Sequence, residues 1–328
     1  MNVLVVTNMY PTAESPAFGS FVYDQVQALR RAGAEVDVLF VNGRESTWNY
    51  LRAYPRLWRR LRRRRYDVVH AHYVLAGLVA RAQWGHKTVL THHGIEALGA
   101  AMGYARWQSW LCRLLTPLFD EVVHVSEEVR RALRDADGWV IPCGVDLEVF
   151  TPTPRAEARA RLGLPPERRL VLWAGEPWRP EKRFYLVEQA VERVKAALPD
   201  TDLVLLTDRP HDVVPLYMSA CDALVLASRA EGSPMVVKEA MACNLPVVSV
   251  PVGDVAEVIG ATPGCALARD DPDALAAALL ATLREPRRTD GRARIAHLAQ
   301  DRTARRLLEV YAHAGRPRRG RRQHAVGG

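Results

Sequence analysis

Two doubly wound, Rossmann-like α/β domains facing across a cleft are what the sequence predicts, and three observations predict them. Short apolar runs alternate with amphipathic helical stretches along most of the chain, the pattern of parallel βαβ units. The length of 328 residues suits two ordinary domains. A proline-rich, charged segment, residues 151–167, separates two halves that each begin again with a buried strand. The expected division is a first domain over residues 1–153 and a second over residues 154–314. The last helix could pack back on the first domain. A basic tail, residues 315–328, is expected to be disordered.

The first half opens with Asn-Val-Leu-Val-Val-Thr as a buried strand, a loop from Asn8 to Gly19, and a helix from about Phe21 to Arg31 that Gly33 ends. The next strand is residues 35–40, so the order is βαβ and parallel pairing is the expectation. No Gly-x-Gly-x-x-Gly follows the first strand, which disfavours a nicotinamide-cofactor dehydrogenase. Gly19 would let a ligand approach the backbone closely, or is a plain turn glycine. The strand at residues 66–72 ends in His70-Ala71-His72, whose two rings share a face. That spacing suits a metal, but no third ligand is evident nearby. The strand at residues 87–91 ends in His92-His93-Gly94-Ile95-Glu96. Polar residues at such strand ends line the crevice where open α/β sheets bind ligands. An amphipathic segment follows over residues 104–119, with Trp107, Trp110 and Leu114.

In the second half, residues 169–174 form an apolar strand that runs into Gly175-Glu176-Pro177-Trp178-Arg179-Pro180-Glu181-Lys182-Arg183. A helix at residues 185–197, a strand at 202–206 and a strand at 223–227 lead to residues 230–250, around which the rest is organised. There Ser233 is a preferred N-cap type and Pro234 fits the first helical position. The amides of Met235, Val236 and Val237 would then point from a helix start that favours an anion. Glu231 precedes that start, Glu239 lies inside the helix, and Asn244 closes it in a left-handed conformation before a buried strand. An anion site flanked by two carboxylates suits a ligand carrying phosphate and hydroxyl groups. An ordinary αβ crossover would read the same. Helices at residues 272–284 and 292–313 complete the pattern.

Composition narrows the function classes. Hydrophobic residues at 48% and charged residues at 25% are those of a globular protein. No run approaches the ~20 apolar residues of a membrane-spanning helix, and the amino-terminal stretch lacks signal-peptide features. Five scattered cysteines read as reduced core thiols without metal-ligand spacing, so the cytoplasm is the expected compartment. The net charge of +8 concentrates in eight arginines between Arg52 and Arg65, interleaved with Tyr54, Leu57, Trp58 and Leu61. Such a helix suits an anionic membrane surface. A solvated face and a phosphate-binding surface for nucleic acid are the alternatives, with no nucleic-acid partner expected.

With these pieces in order, the chain resembles the retaining glycosyltransferases of family 4, which have the GT-B fold. The run from Glu231 to Glu239 resembles that family's Glu, seven residues, Glu motif. His70-Ala71-His72 and Thr91-His92-His93-Gly94 resemble its strand ends, Ile141-Pro142-Cys143-Gly144-Val145-Asp146 its turn, and Pro180-Glu181-Lys182 its Pro-Glu-Lys-Gly segment. The resemblance is nearest to enzymes of teichuronic acid and related polysaccharide assembly. It implies a nucleotide-sugar donor, a lipid-linked or growing saccharide acceptor, and no metal or other cofactor. It further implies that Glu239 accepts from the ribose hydroxyls, and that Met235 and Val236, after Ser233, hold the diphosphate. Lys182 would neutralise the leaving phosphate, Glu231 would contact the transferred sugar, His93 would sit near the anomeric carbon, and Gly19 would line the cleft. The leaving phosphate would help deprotonate the acceptor in a front-face displacement.

One position departs from the family pattern. Glu176 stands where an arginine is usual, and Arg179 or Arg183 is left as the replacement cation. Two other readings stay open. One is a different GT-B enzyme, a nucleotide-sugar epimerase or phosphorylase. The other is a non-enzymatic basic module binding lipid or nucleic acid.

Overall fold

The structure, a computed structural model, describes residues 1–16, 18–99, 106–207 and 209–314. The predicted start of the amphipathic segment at residue 104 and the basic tail lie outside the described residues. Residue contacts divide the chain into two units.

In the first unit the elements are β1 (Asn2–Thr7), α1 (Ser20–Arg31), β2 (Glu35–Phe40), α2 (Trp48–Arg63), β3 (Val68–His72) and α3 (Val74–Ala80). They continue with β4 (Lys87–His92), α4 (Ile95–Leu98), α5 (Arg106–Leu115), β5 (Glu121–His124), α6 (Glu127–Leu133) and β6 (Trp139–Val140). The strands form one parallel sheet in the order β2-β1-β3-β4-β5-β6. Its central strands are buried on both faces, which is why Val3 to Val6 and Val68 to His72 carry no solvated alternate position. The order reverses between β1 and β3.

The second unit contains α7 (Arg155–Leu162), β7 (Arg169–Ala174), α8 (Phe184–Ala197), β8 (Thr201–Leu206), α9 (Val214–Ala220), β9 (Ala223–Leu226) and α10 (Met235–Ala242). After these come β10 (Val247–Ser249), α11 (Val255–Ile259), β11 (Ala266–Leu267), α12 (Pro272–Arg284) and α13 (Gly291–Arg294). Its sheet is again parallel, in the order β11-β10-β9-β7-β8, and reverses between β7 and β9. Trp173, Leu224, Val237 and Met241 sit in its core, with α8 packed on α12.

Three sequence expectations change in detail. The helix expected over residues 292–313 is α13, a 3-10 turn, and then α14 (Gln300–His313). The charged segment at residues 151–167 is not only a linker, because it contains α7, which packs on α9. The division by contacts falls at Pro142/Cys143 rather than after residue 153. The physical reason is that Val145 N–H donates to Leu298 O at 3.0 Å and Phe150 is buried in the second unit's core. Residues 303–314 group with the first unit, where the Arg306 side chain donates to Val140 O at 3.0 Å and Tyr311 reaches β3.

Candidate active site

In doubly wound sheets, ligands bind beyond the carboxyl ends of the strands where the strand order reverses. In the second unit these are the ends of β7 and β9. The loop after β7 carries Glu176, Arg179 and Lys182, and the loop after β9 carries Glu231 and Ser233. Main-chain and side-chain bonds hold the two loops together. Arg229 N–H donates to Glu181 O at 2.8 Å, and Arg183 Nε donates to Ala227 O at 2.7 Å. Across this seam Lys182 Nζ meets Glu231 Oε1 at 2.7 Å. The pair keeps side-chain exposures of 18% and 13%, enough contact with solvent for a ligand to reach either group.

Neither candidate replacement cation is idle. Arg179 lies 2.5 Å from Glu181 Oε1 and 3.7 Å from Glu176 Oε2. Burial works against its charge, but the carboxylates of Glu181, Glu176 and Glu231 outweigh that and raise its pKa. Arg183 pairs with Asp270 at 2.5 Å. Glu176, the carboxylate that departs from the family pattern, is thus partly neutralised by Arg179.

The helix start differs from the sequence expectation. Pro234 is the N-cap of α10, and Ser233 makes no capping bond. The hydroxyl is held elsewhere, for Ser233 Oγ donates to Asp254 Oδ2 at 2.6 Å and accepts from Lys238 Nζ and from Cys143 N–H. Lys238 is fully buried and lies 2.9 Å from Asp254 Oδ2. A buried ammonium needs such partners, and their pull on the hydroxyl explains the lost cap. The amides of Met235 and Val236 still open the helix without intrahelical acceptors, while Val237 N–H reaches Pro234 O at 3.3 Å. Glu239 is nearly buried, with His211 Nε2 3.8 Å from its Oε1. Asn244 is left-handed, as expected, at φ 56°.

Sequence reasoning missed two supports of this loop. Lys238 and Asp254 are one, and the signal was a lysine inside an otherwise apolar helix run. Gly253 is the other. A Cβ there would stand 2.9 Å from Gly232 O and 3.0 Å from Glu231 O, so only glycine admits the loop that carries Glu231.

In the first unit, β3 is one of the two strands at the reversal, and its end and that of β4 gather four histidines. His70 bonds Tyr311 Oη through Nδ1 and Thr91 Oγ1 through Nε2, both at 2.7 Å. His72 Nδ1 lies 2.9 Å from His93 Nε2, and His93 N–H donates to Glu96 Oε1 at 2.8 Å. His92 Nε2 bonds Thr116 Oγ1 at 3.0 Å. Burial lowers the pKa of His72 to about 3 and those of His70 and His93 well below the ordinary value, with neighbouring imidazoles adding to both latter shifts. These rings are neutral at physiological pH. Among the described residues, no group of three His, Cys, Asp or Glu side chains is arranged to hold a metal. Gly19 has φ 71° in the loop before α1, a conformation that favours glycine, and groups by contacts with the second unit.

Known families and proteins are similar to both halves of the chain. The model of Glycosyltransferase Family 4 matches residues 18–149, and that of Glycosyl transferases group 1 matches residues 169–285. The "Putative teichuronic acid biosynthesis glycosyltransferase TuaC" of Bacillus subtilis (strain 168) is 26% identical, over 79% of this chain and 83% of its own. A D-inositol 3-phosphate glycosyltransferase of Frankia alni is 30% identical over 77% of this chain and 75% of its own. Sucrose-phosphate synthase from Thermosynechococcus elongatus superposes with a TM-score of 0.78 at 21% identity, covering 95% of this chain and 98% of that one. Anabaena Alr3699/HepE, solved in complex with UDP, superposes with a TM-score of 0.70 at 16% identity, covering 95% and 100%.

Family models and fold together show a glycosyltransferase of the GT-B class. The chain belongs to glycosyltransferase family 4.

Proposed function

We propose that the chain is a retaining glycosyltransferase that moves a sugar from a nucleotide-sugar to a lipid-linked or growing saccharide in cell-surface polysaccharide assembly. The observation that carries this reading is the 2.7 Å Lys182–Glu231 pair where β7 and β9 end, beside the loop that opens α10. Lys182 and the Met235 and Val236 amides supply positive potential for a departing diphosphate. Glu231 serves the transferred sugar, Glu239 the ribose, and His93 the anomeric centre. With the positive potential built from these groups, the reaction needs no metal. HepE was solved with UDP and with UDP-glucose, and TuaC is named for teichuronic acid biosynthesis, both in keeping with this reading.

The acceptor half of the reading draws on α2 and α5. Trp48, Leu51 and Trp58 of α2 and Trp107, Trp110 and Leu114 of α5 are exposed, as are Arg52, Arg59, Arg62 and Arg63. Both helices pack against α3, within one unit. Arginines and tryptophans sharing exposed surface suit an anionic membrane interface, where a lipid-linked acceptor resides.

Turnover of a nucleotide-sugar panel with lipid-linked acceptors tests the proposal. Expected are nucleoside diphosphate release coupled to glycoside formation, a product with the donor's anomeric configuration by proton NMR, and rates unchanged by chelator. Lys182→Ala should lower kcat about 10²–10³-fold. An inverted product, or a Lys182→Ala variant at the wild-type rate, would overturn it.

A further inference from the structure

We propose that Lys238 and Asp254 are positioning residues that hold the Ser233 hydroxyl off the start of α10, so that the Met235 and Val236 amides stay open for the donor's diphosphate. The inference rests on the donor site proposed above, and its structural half can be measured with no donor present.

A serine hydroxyl has one proton to donate and two lone pairs with which to accept. In Ser233 all three are engaged. Oγ donates to Asp254 Oδ2 at 2.6 Å and accepts from Lys238 Nζ and, at 3.3 Å, from Cys143 N–H. Nothing remains for an amide of α10. The residues themselves, Ser233 followed by Pro234, favour the opposite arrangement, with serine as N-cap and proline as the first helical residue. Oγ would then accept from the second or third helical amide, which are those of Met235 and Val236. One of the two donors assigned to the diphosphate would be used up. In the structure Pro234 instead has ψ 115°, outside the helix, and neither amide has a hydrogen-bond partner among the described residues.

Asp254 repeats the pattern at the next helix. It is the N-cap residue of α11, where an aspartate ordinarily accepts from the helix's own amides, yet its side chain makes no such bond. Oδ2 goes to Lys238 at 2.9 Å and to Ser233, while Oδ1 is buried without a hydrogen-bond partner among the described residues. Two helix starts thus forgo their caps for one ammonium. That ammonium is fully buried, so it acts on a ligand only through Ser233 and the loop. Local rules broken without local gain are expected where a site needs them broken. The segment also bears on the loop directly, since a Cβ on Gly253 would stand 2.9 Å from Gly232 O and 3.0 Å from Glu231 O. Asp254 is therefore anchored beside the loop that carries Glu231.

Amide hydrogen exchange of the full chain, read by NMR without ligand, tests the structural half. In the wild type, Met235 and Val236 should exchange without protection. Lys238→Met/Asp254→Leu removes both charges and releases the hydroxyl, and exchange at one of the two amides should then slow. Adding Ser233→Ala to that variant should return both to fast exchange. The binding half is read by calorimetry with UDP as the first probe, followed by the nucleoside diphosphate that binds the wild type best. Kd should rise about 10-fold or more in the double variant. In the triple variant it should fall most of the way back, a recovery that a loss of folding stability would not give. Should the double variant leave the interior amides of α10 unprotected, Lys238→Met/Asp254→Ala takes its place. Wild-type amides already protected, a double variant with exchange and Kd at wild-type values, or a triple variant without recovery would overturn the inference. A wild type that binds none of the nucleoside diphosphates would instead overturn the donor site, and the exchange pattern would still decide where the Ser233 hydroxyl lies.

Discussion

Lys238 lies in the run Met-Val-Val-Lys-Glu-Ala-Met-Ala, in which every residue from Val237 to Ala242 is buried. Its ammonium is fully buried and survives there because Ser233 and Asp254 surround it. Removing one partner of a buried pair leaves an uncompensated charge, whereas removing both can approach neutrality. Lys238→Met should therefore destabilise the fold by about 3–5 kcal/mol, and Asp254→Leu similarly. The double variant should recover a large part of the loss in urea unfolding, and additive losses would contradict the pairing. Glu231 and Glu239 were legible from the sequence because their spacing brackets a helix start. The partner of Lys238 was not, because a turn and a strand separate it from Asp254 and nothing local links the two. The capping role expected of Ser233 failed for the same reason: residue preference at a helix end yields to a buried charge that needs the hydroxyl.

Among the elements, α2 was legible as a basic amphipathic helix, and the structure sorts its arginines. Arg64, just beyond its end, bonds Glu35, Asp37 and Asn2 and so belongs to the fold. Arg52, Arg59, Arg62 and Arg63 are exposed beside Trp48 and Trp58. Each cation near an anionic surface contributes about 1 kcal/mol, screened by salt. Reversing these four to glutamate should abolish flotation with vesicles rich in phosphatidylglycerol and leave thermal unfolding unchanged. Wild-type flotation should weaken as salt rises. Flotation that persists in the variant, or that ignores salt, would remove α2 from the membrane reading. Element ends were less legible than elements. The expected single helix over residues 292–313 is broken at α13 and a 3-10 turn, where Val145 N–H bonds Leu298 O and Gln300 N–H bonds Val145 O. Such long-range main-chain pairing leaves no trace in helical periodicity.

At the scale of the molecule, two parallel sheets follow from apolar runs alternating with helices, and the sequence order of the motifs then singles out family 4. The strand order was not readable, since the runs alone do not say which strands are neighbours. Once the order is known, the reversals between β1 and β3 and between β7 and β9 account for where His72, Lys182 and Glu231 stand. The histidine cluster shows the same division. His70, His72, His92 and His93 were visible at strand ends, but Tyr311, which fixes His70, comes from the far end of the chain.

In the proposed function, the α10 start, Glu239 and Lys182 form a nucleotide-sugar site. Thermal unfolding of the wild type and of Glu239→Gln against a panel of nucleoside diphosphate sugars tests it most directly. Ligand at about 100 times its Kd should stabilise the fold by about 2.7 kcal/mol, a rise of a few degrees in Tm. Glu239→Gln loses a hydrogen bond to a charged group, about 1.5–3 kcal/mol, so its response should shift to concentrations ten-fold or more higher. A panel in which no member raises the wild-type Tm, or a Glu239→Gln variant that responds like the wild type, would contradict the account.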